Sequence, residues 1–161
     1  MSVERKFYTV RGYQLLNADN KILTSSMEDY LEMIYRTCIA EDYIRVNQLS
    51  EKLNVRPSST TKIVQKLEIL GLINYQRYGI IKLTERGREI GSFLLERHAT
   101  IENFFRVIGV EENLLEETEM IEHDISIEAL RNIQIFNEFI ANNHDIQERY
   151  ELFKQAFKTI G

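Results

Sequence analysis

The sequence predicts a mainly α-helical protein of two domains, in which a small β-hairpin separates two groups of helices. Apolar residues recur at helical spacing along most of the chain, for example at Met27, Leu31, Ile34 and Cys38. Residues 72–75 and 80–83 are short runs that predict β-strands, and residues 76–79 between them predict the turn of a hairpin. A length of 161 residues allows one or two small domains with a core.

Composition excludes several classes of protein. No apolar run approaches the roughly 20 residues of a membrane span, and no apolar segment of a signal peptide follows the first six residues. Cys38 is the single cysteine and forms no internal disulfide, which favours a reducing compartment. We therefore expect a cytoplasmic protein that does not contact a membrane.

Charge is unevenly distributed along the chain, although the net charge is −5. Residues 43–88 contain nine Lys or Arg and three Glu, a net charge of +6, whereas residues 111–122 contain six Glu and no basic residue. Such segregation suits phosphate binding in one place and cation binding in another. The alternative is that these charges only solvate the surface.

The first 24 residues predict an arm that packs on the body, because they are too apolar for a free tail. The first helix is expected to begin near Ser25, where Ser25 and Glu28 have the spacing of a capping box. Asp29 and Glu32 lie off its buried stripe, one helical turn apart.

A helix–turn–helix follows. Residues 47–53 predict a short helix, 54–56 a turn, and 57–70 a second helix with Pro57 at its first position and Gly71 after its end. Ile63, Val64 and Leu67, together with Leu70, are its expected buried residues. Followed by the hairpin, this order of elements is a winged helix–turn–helix.

The exposed side chains of this unit suit DNA. The second helix of such a motif fits the major groove, and the hairpin can reach the backbone or the minor groove. Hydroxyls and backbone N–H groups near the helix start can donate to phosphates, and longer side chains of the next turn reach base edges. The candidates are Arg56, Ser58, Ser59, Thr61, Lys62, Gln65, Lys66, Arg77 and Tyr78. The alternative is a winged helix that binds protein.

Thr84 is expected to cap a helix over 85–108, which Gly109 ends. At 24 residues it spans roughly 36 Å, enough to pass from the winged domain into a second domain. Helices over about 126–142 and 145–160 carry more apolar surface than one chain can bury, which predicts a homodimer. The expected domains are 1–24, 25–91 and 92–161.

Glu119, Glu122 and His123 predict a metal site. They lie at positions i, i+3 and i+4 of a run, 111–126, that is expected to be helical, so they share one face. Further ligands could come from Asp29 and Glu32 or from His98. Taken alone, Asp29 also suits the positive end of a helix dipole, and His98 also suits a hydrogen-bonded core position.

Five blocks of the sequence resemble the diphtheria toxin repressor family, and within it the manganese-responsive branch. They are SMEDYLE at 26–32, PSSTTKIVQKL at 57–67, LTERG at 83–87, RH at 97–98 and IEH at 121–123. The resemblance runs from about residue 25 to 142. It departs from the family at residues 1–24, which extend beyond the short regulators, and at Thr60, where an apolar Val or Ile is expected.

The resemblance implies a winged helix–turn–helix domain followed by an all-α metal-binding and dimerisation domain. It implies a binuclear site whose ligands are Asp29, Glu32, His98, Glu119, Glu122 and His123. The iron-responsive branch carries methionine at the position of Asp29 and cysteine at that of Glu119. Carboxylates at both positions imply Mn(II), with two ions per subunit, and Fe(II), Co(II), Zn(II) or Cd(II) as possible substitutes.

The function implied is a Mn(II)-activated repressor of manganese uptake genes, a non-enzyme that binds a palindromic operator as a homodimer. The oxygen and nitrogen donor set, without thiolate, is consistent with Mn(II). Three alternatives are an Fe(II)-responsive regulator of the same family, a dinuclear manganese hydrolase, and a winged-helix regulator that senses an organic ligand. In the proposed mechanism, metal ligands from both domains fix the two winged domains of the dimer.

Overall fold

The computed structural model describes residues 23–158, together with Gln14. Of the predicted N-terminal arm, residues 1–24, all but Gln14, Leu23 and Thr24 lie outside the described residues. The described part of the chain is mainly helical and carries one three-stranded antiparallel sheet. The boundary between two compact units falls between Glu96 and Arg97. The predicted fold class, a winged helix–turn–helix followed by an all-α region, is confirmed.

Helix α1 spans Ser25–Glu41 and begins at Ser25 as expected, but its N-cap lies one residue before the predicted cap. Thr24 is the N-cap, since its hydroxyl oxygen accepts a hydrogen bond of 3.3 Å from the Met27 backbone nitrogen. The predicted capping box of Ser25 and Glu28 is therefore wrong. The predicted stripe of Met27, Leu31, Ile34 and Cys38 is buried, as helical spacing requires.

The helix–turn–helix follows a two-residue strand, β1 (Ile44–Arg45), and consists of α2 (Val46–Lys52) and α3 (Pro57–Ile69). Pro57 stands at the first position of α3, where its missing N–H costs no hydrogen bond. Gly71 has a φ of +70°, which lets the chain leave the helix in the left-handed region. Four residues of α3 and its C-cap were expected to be buried. Val64 and Leu67 are buried, whereas Ile63 and Leu70 are only half-buried.

The surroundings of Thr60 explain why a threonine stands where an apolar residue was expected. Its side chain is completely buried, and its hydroxyl oxygen lies 2.8 Å from the hydroxyl oxygen of Ser50 on α2. Ser50 also donates to the Val46 carbonyl at 2.8 Å. A polar residue is tolerated at the centre of the helix–turn–helix because it has a hydrogen-bond partner on the facing helix.

The sheet has the strand order β1–β3–β2, with β2 at Ile73–Gln76 and β3 at Ile80–Leu83. Both pairings are antiparallel, and Tyr75 of β2 and Ile44 of β1 lie opposite Ile81 of β3. The predicted hairpin is present, with a short 3₁₀ turn at its tip, Arg77–Gly79. This hairpin is the wing of the first unit.

Helix α4 spans Glu85–Ile108, as predicted. The Thr84 hydroxyl caps it by accepting a hydrogen bond of 3.0 Å from the Gly87 nitrogen. At Gly91, α4 passes so close to α1 that an added Cβ would lie 2.7 Å from the Tyr35 Cβ, which only glycine avoids. The remaining core of the first unit includes the fully buried residues Ile44, Leu49, Leu72, Ile73, Ile81 and Ile90.

The second unit continues with α5 (Leu114–Glu122), α6 (Ile127–Ala141) and α7 (His144–Lys158). The prediction of one helix over 111–126 is wrong at both ends. Asn113 has a left-handed φ of 55° before α5, and His123 is the C-cap after it. Ser126 caps α6 instead, its hydroxyl accepting from the Ala129 nitrogen at 3.1 Å.

Apolar side chains are exposed on all three of these helices. Six large apolar side chains are more than half exposed: Leu115, Met120, Ile135, Leu152, Phe153 and Phe157. This agrees with the expectation that the second unit carries more apolar surface than it buries by itself. No helix among residues 23–158 combines the length and the apolar character needed to cross a membrane.

Candidate metal centre and nucleic-acid interface

A buried histidine–carboxylate pair lies at the centre of the second unit. His98 Nδ1 on α4 is 2.8 Å from Glu122 Oε2 on α5, and their side chains are 8% and 2% exposed. Because a carboxylate only accepts, Nδ1 carries a proton in this contact, and the other ring nitrogen, Nε2, lies 3.6 Å from Glu102 Oε2. That is the arrangement in which a carboxylate orients a histidine toward a metal ion.

His123 stands next to this pair, at the end of α5. Its Nε2 lies 3.8 Å from Glu122 Oε1, and its Nδ1 lies 3.3 Å from Arg97 Nη2. Arginine only donates, so Nδ1 is the accepting nitrogen of His123 in this contact. Coordination of a cation by His123 therefore requires this contact with Arg97 to be lost. The cation would either replace Arg97 at Nδ1 or bind Nε2 after the ring proton has moved to Nδ1.

The structure thus brings together three of the four predicted ligands in the second unit. Glu119 lies on α5, one turn before Glu122, and its side chain is exposed. Helix α5 extends to Glu122, and His123 after it still has helical backbone angles. Residues 119, 122 and 123 therefore keep the spacing of one helix face.

The two predicted ligands of the first unit lie on α1. Asp29 is exposed and Glu32 is buried. Arg36 donates to Glu32 Oε1 from Nε at 3.1 Å and from Nη2 at 2.5 Å. A cationic group thus already contacts one of the carboxylates predicted to bind metal, which sequence spacing alone did not indicate.

The donor groups fit a hard or borderline divalent ion. Buried carboxylates and imidazoles supply oxygen and nitrogen ligands, and a buried carboxylate such as Glu122 requires compensation by a cation or by hydrogen bonds. Burial raises the pKa of the Cys38 thiol, which keeps it protonated near neutral pH. Cys38 is buried in the core, as predicted.

The candidate DNA-binding residues are presented at the start of α3 and at the wing. All of them are exposed except Thr61, which is half-buried and donates from its hydroxyl to the Pro57 carbonyl at 3.0 Å. The amides of Ser59 and Thr60 donate to the Arg56 carbonyl at 3.0 and 3.1 Å. These two amides are therefore already engaged, whereas the exposed hydroxyls of Ser58 and Ser59 suit donation to a phosphate near this end of the helix.

Two family descriptions match the chain. Residues 22–81 match the iron dependent repressor N-terminal DNA binding domain, and residues 84–151 match the iron dependent repressor metal binding and dimerisation domain. Among solved structures, a manganese-dependent transcriptional repressor in complex with manganese is similar, with a TM-score of 0.63 and 26% identity. The match covers 70% of this chain and 53% of that one, so this chain spans about half its length.

Curated relatives match over nearly their whole length. The HTH-type transcriptional regulator MntR of Lysinibacillus sphaericus is 39% identical over 132 residues, which are 81% of this chain and 95% of that protein. The protein of the same name from Geobacillus thermodenitrificans is 43% identical, over 71% of this chain and 96% of that protein. The chain therefore belongs to the iron-dependent repressor family, the family of the diphtheria toxin repressor.

Proposed function

We propose that this protein is a Mn(II)-activated transcriptional repressor that binds operator DNA as a homodimer and controls manganese uptake genes. It is a regulator and not an enzyme. The observation that carries the proposal is the buried pair of His98 and Glu122, with His123 beside it, in a chain that also carries an exposed helix–turn–helix. The choice of Mn(II) is supported by the names of the similar repressors. It also agrees with a proposed donor set that contains no thiolate.

The proposed ligands are the six residues predicted from the sequence. Asp29 and Glu32 come from α1, His98 from α4, and Glu119, Glu122 and His123 from α5 and its end. Four carboxylates exceed what one divalent ion needs for charge balance, which supports two ions per subunit. Fe(II), Co(II), Zn(II) and Cd(II) are expected to substitute, because geometry and not affinity alone selects among these ions.

The proposed ligands come from both predicted domains, 25–91 and 92–161. Metal binding would therefore restrain one domain relative to the other, which is the basis of the proposed mechanism. With metal bound, Asp29 and Glu32 are tied to the ligands of the second domain, and the winged domains of the dimer keep a fixed spacing. DNA affinity rises because the competent arrangement is no longer selected from a broad ensemble. The two subunits then present two recognition helices, so we expect a palindromic operator.

The decisive experiment is a DNA-binding titration of metal-free protein with Mn(II), Fe(II), Co(II) and Zn(II) in parallel. The probe is a duplex selected from a random-sequence library by the manganese-loaded wild-type protein. Mn(II) should raise the affinity, and the duplex should tighten Mn(II) binding by the same factor, since the coupling is reciprocal. Equal DNA affinity with and without every metal would exclude a metal-activated regulator.

Asp29→Ala tests whether α1 supplies a ligand. It should weaken Mn(II) binding and abolish most of the Mn(II)-dependent gain in DNA affinity, with little loss of stability because Asp29 is exposed. The matched control is Asp145→Ala, an exposed aspartate in the first turn of α7. If Asp29→Ala kept the full Mn(II) response, the assignment of Asp29 would be wrong.

A further inference from the structure

The wing tip adopts a backbone conformation that needs support. Tyr78 has φ 63° and ψ 23°, and Gly79 after it has φ 73°. A non-glycine residue in the left-handed region is uncommon, and it persists where surrounding contacts hold it. The Tyr78 side chain is 89% exposed, so its ring does not supply that contact.

Arg45 supplies a contact from outside the hairpin. Its Nη1 donates to the Tyr78 carbonyl oxygen, at a distance of 3.1 Å. Its backbone is held on both sides: Arg45 pairs with Ile80 across the sheet, and its own amide donates to Gln48 Oε1 at 3.0 Å. The side chain therefore links the start of α2 directly to the tip of the wing.

The guanidinium of Arg45 also keeps most of its hydrogen-bonding capacity. It has five N–H donors in a planar fork, and the Tyr78 carbonyl engages one of its nitrogens. Arg45 is exposed, and among the described residues no carboxylate forms an ion pair with it. By contrast, Arg36 pairs with Glu32, Arg106 with Glu102, and both Lys82 and Arg88 with Asp42.

We propose that Arg45 is a further DNA-binding residue, which holds the wing tip through the Tyr78 carbonyl and donates its remaining N–H groups to one phosphate of the DNA backbone. The inference rests on the proposed DNA-binding function and extends it by one residue. A guanidinium suits this double role because its planar fork can serve two acceptors at once, whereas an ammonium is a point charge. The Arg77 side chain supplies a positive charge at the exposed tip of the hairpin itself.

Two variants separate the two parts of this role. Arg45→Gln removes the charge, and Arg45→Lys retains the charge but loses the planar fork. DNA affinity of the manganese-loaded protein is measured over a range of salt concentrations, on the selected duplex and on an unrelated duplex. Hydrogen exchange of the wing amides is measured on the free protein.

Arg45→Gln should lower the slope of log affinity against log salt by about one. It should weaken binding to both duplexes by a similar factor, since phosphate contacts carry no sequence information. Arg45→Lys should keep the slope, and its wing amides, including that of Gly79, should exchange faster than those of the wild type. An unchanged slope for Arg45→Gln, or unchanged wing exchange for Arg45→Lys, would overturn the proposal.

Arg149→Gln is the control for the change in net charge, because Arg149 is an exposed arginine of α7 in the second unit. Its salt slope should equal that of the wild type. The urea midpoint of each Arg45 variant verifies that the fold is retained. Failure of the wild-type protein to bind DNA in response to Mn(II) would remove the proposed function itself. A wild-type protein that binds, with Arg45→Gln showing the same slope, would remove only the role of Arg45.

Discussion

At the scale of the residue, Arg36 is a built-in competitor for a proposed metal ligand. Its guanidinium contacts Glu32, and its side chain is 41% exposed, so it can turn into solvent when an ion arrives. Arg36→Gln should therefore raise Mn(II) affinity by about two- to fivefold, in line with the value of a partly exposed ion pair. Calorimetry of the metal-free protein with Mn(II) measures the change.

Arg131→Gln, an exposed arginine of α6, makes the same change in net charge and should leave Mn(II) affinity within about twofold of the wild type. A decrease in affinity for Arg36→Gln would mean that Arg36 orients Glu32 for the ion and does not compete with it. The contact of Arg97 with His123 differs from that of Arg36 with Glu32, because Arg97 is buried whereas Arg36 is exposed.

At the scale of the element, the pairing of α2 with α3 depends on the volume of Thr60 more than on its hydroxyl. Ser50 keeps the Val46 carbonyl as an acceptor when Thr60 is replaced, so Thr60→Val should change the free energy of unfolding by less than about 1 kcal/mol. Thr60→Ser keeps the hydroxyl but removes a buried methyl group, which should cost about 1 kcal/mol.

Urea unfolding of both variants, at one fixed protein concentration, compares them directly with the wild type. The opposite order, with the valine variant much less stable than the serine variant, would show that the hydrogen bond between Ser50 and Thr60 contributes more than the packing of the methyl group.

The wing also makes a prediction at this scale. Arg77 is exposed at its tip, and Arg77→Ala should weaken binding to all duplexes and lower the salt slope by roughly one. The experiment is the same salt titration with the manganese-loaded protein, and Arg149→Ala serves as its control. A slope equal to that of the wild type would place Arg77 outside the DNA interface.

Elements with strong local signals were predicted from the sequence, and those that depend on a single backbone angle were not. The bounds of helix α4, from Glu85 to about Ile108, were predicted correctly because Thr84 and Gly109 mark its ends. Helix α5 was predicted too long, because the glutamates around it are good helix formers and they mask the left-handed Asn113. Of the candidate metal site, residue types and spacing were predictable. The contacts of Arg36 with Glu32 and of Arg97 with His123 were not, since side-chain packing decides them.

At the scale of the whole molecule, the second unit needs a partner. Family membership assigns dimerisation to residues 84–151, and exposed apolar side chains of α6 and α7 are available for it. The double variant Ile135→Glu/Leu152→Glu should sediment as a monomer where the wild type is a dimer, because each charge would be buried without a partner. Analytical ultracentrifugation at several concentrations measures the shift.

Ile69→Glu is the matched control for that variant. Ile69 is an exposed isoleucine of α3 in the first unit, 84% accessible, and its replacement should leave the dimer unchanged. A double variant that remained fully dimeric would place the subunit contact on another surface, such as the exposed Leu115 and Met120 of α5.

The hydrogen bond between His98 and Glu122 bears on whether the protein stays folded in a cell that lacks manganese. Many small metalloproteins fold only when their ion binds, because their ligands have no other partner. Here the buried carboxylate is already satisfied by the imidazole, so the chain is expected to persist as a folded molecule through periods of manganese starvation. The same copy can then respond again when manganese returns, and the response need not wait for new protein synthesis.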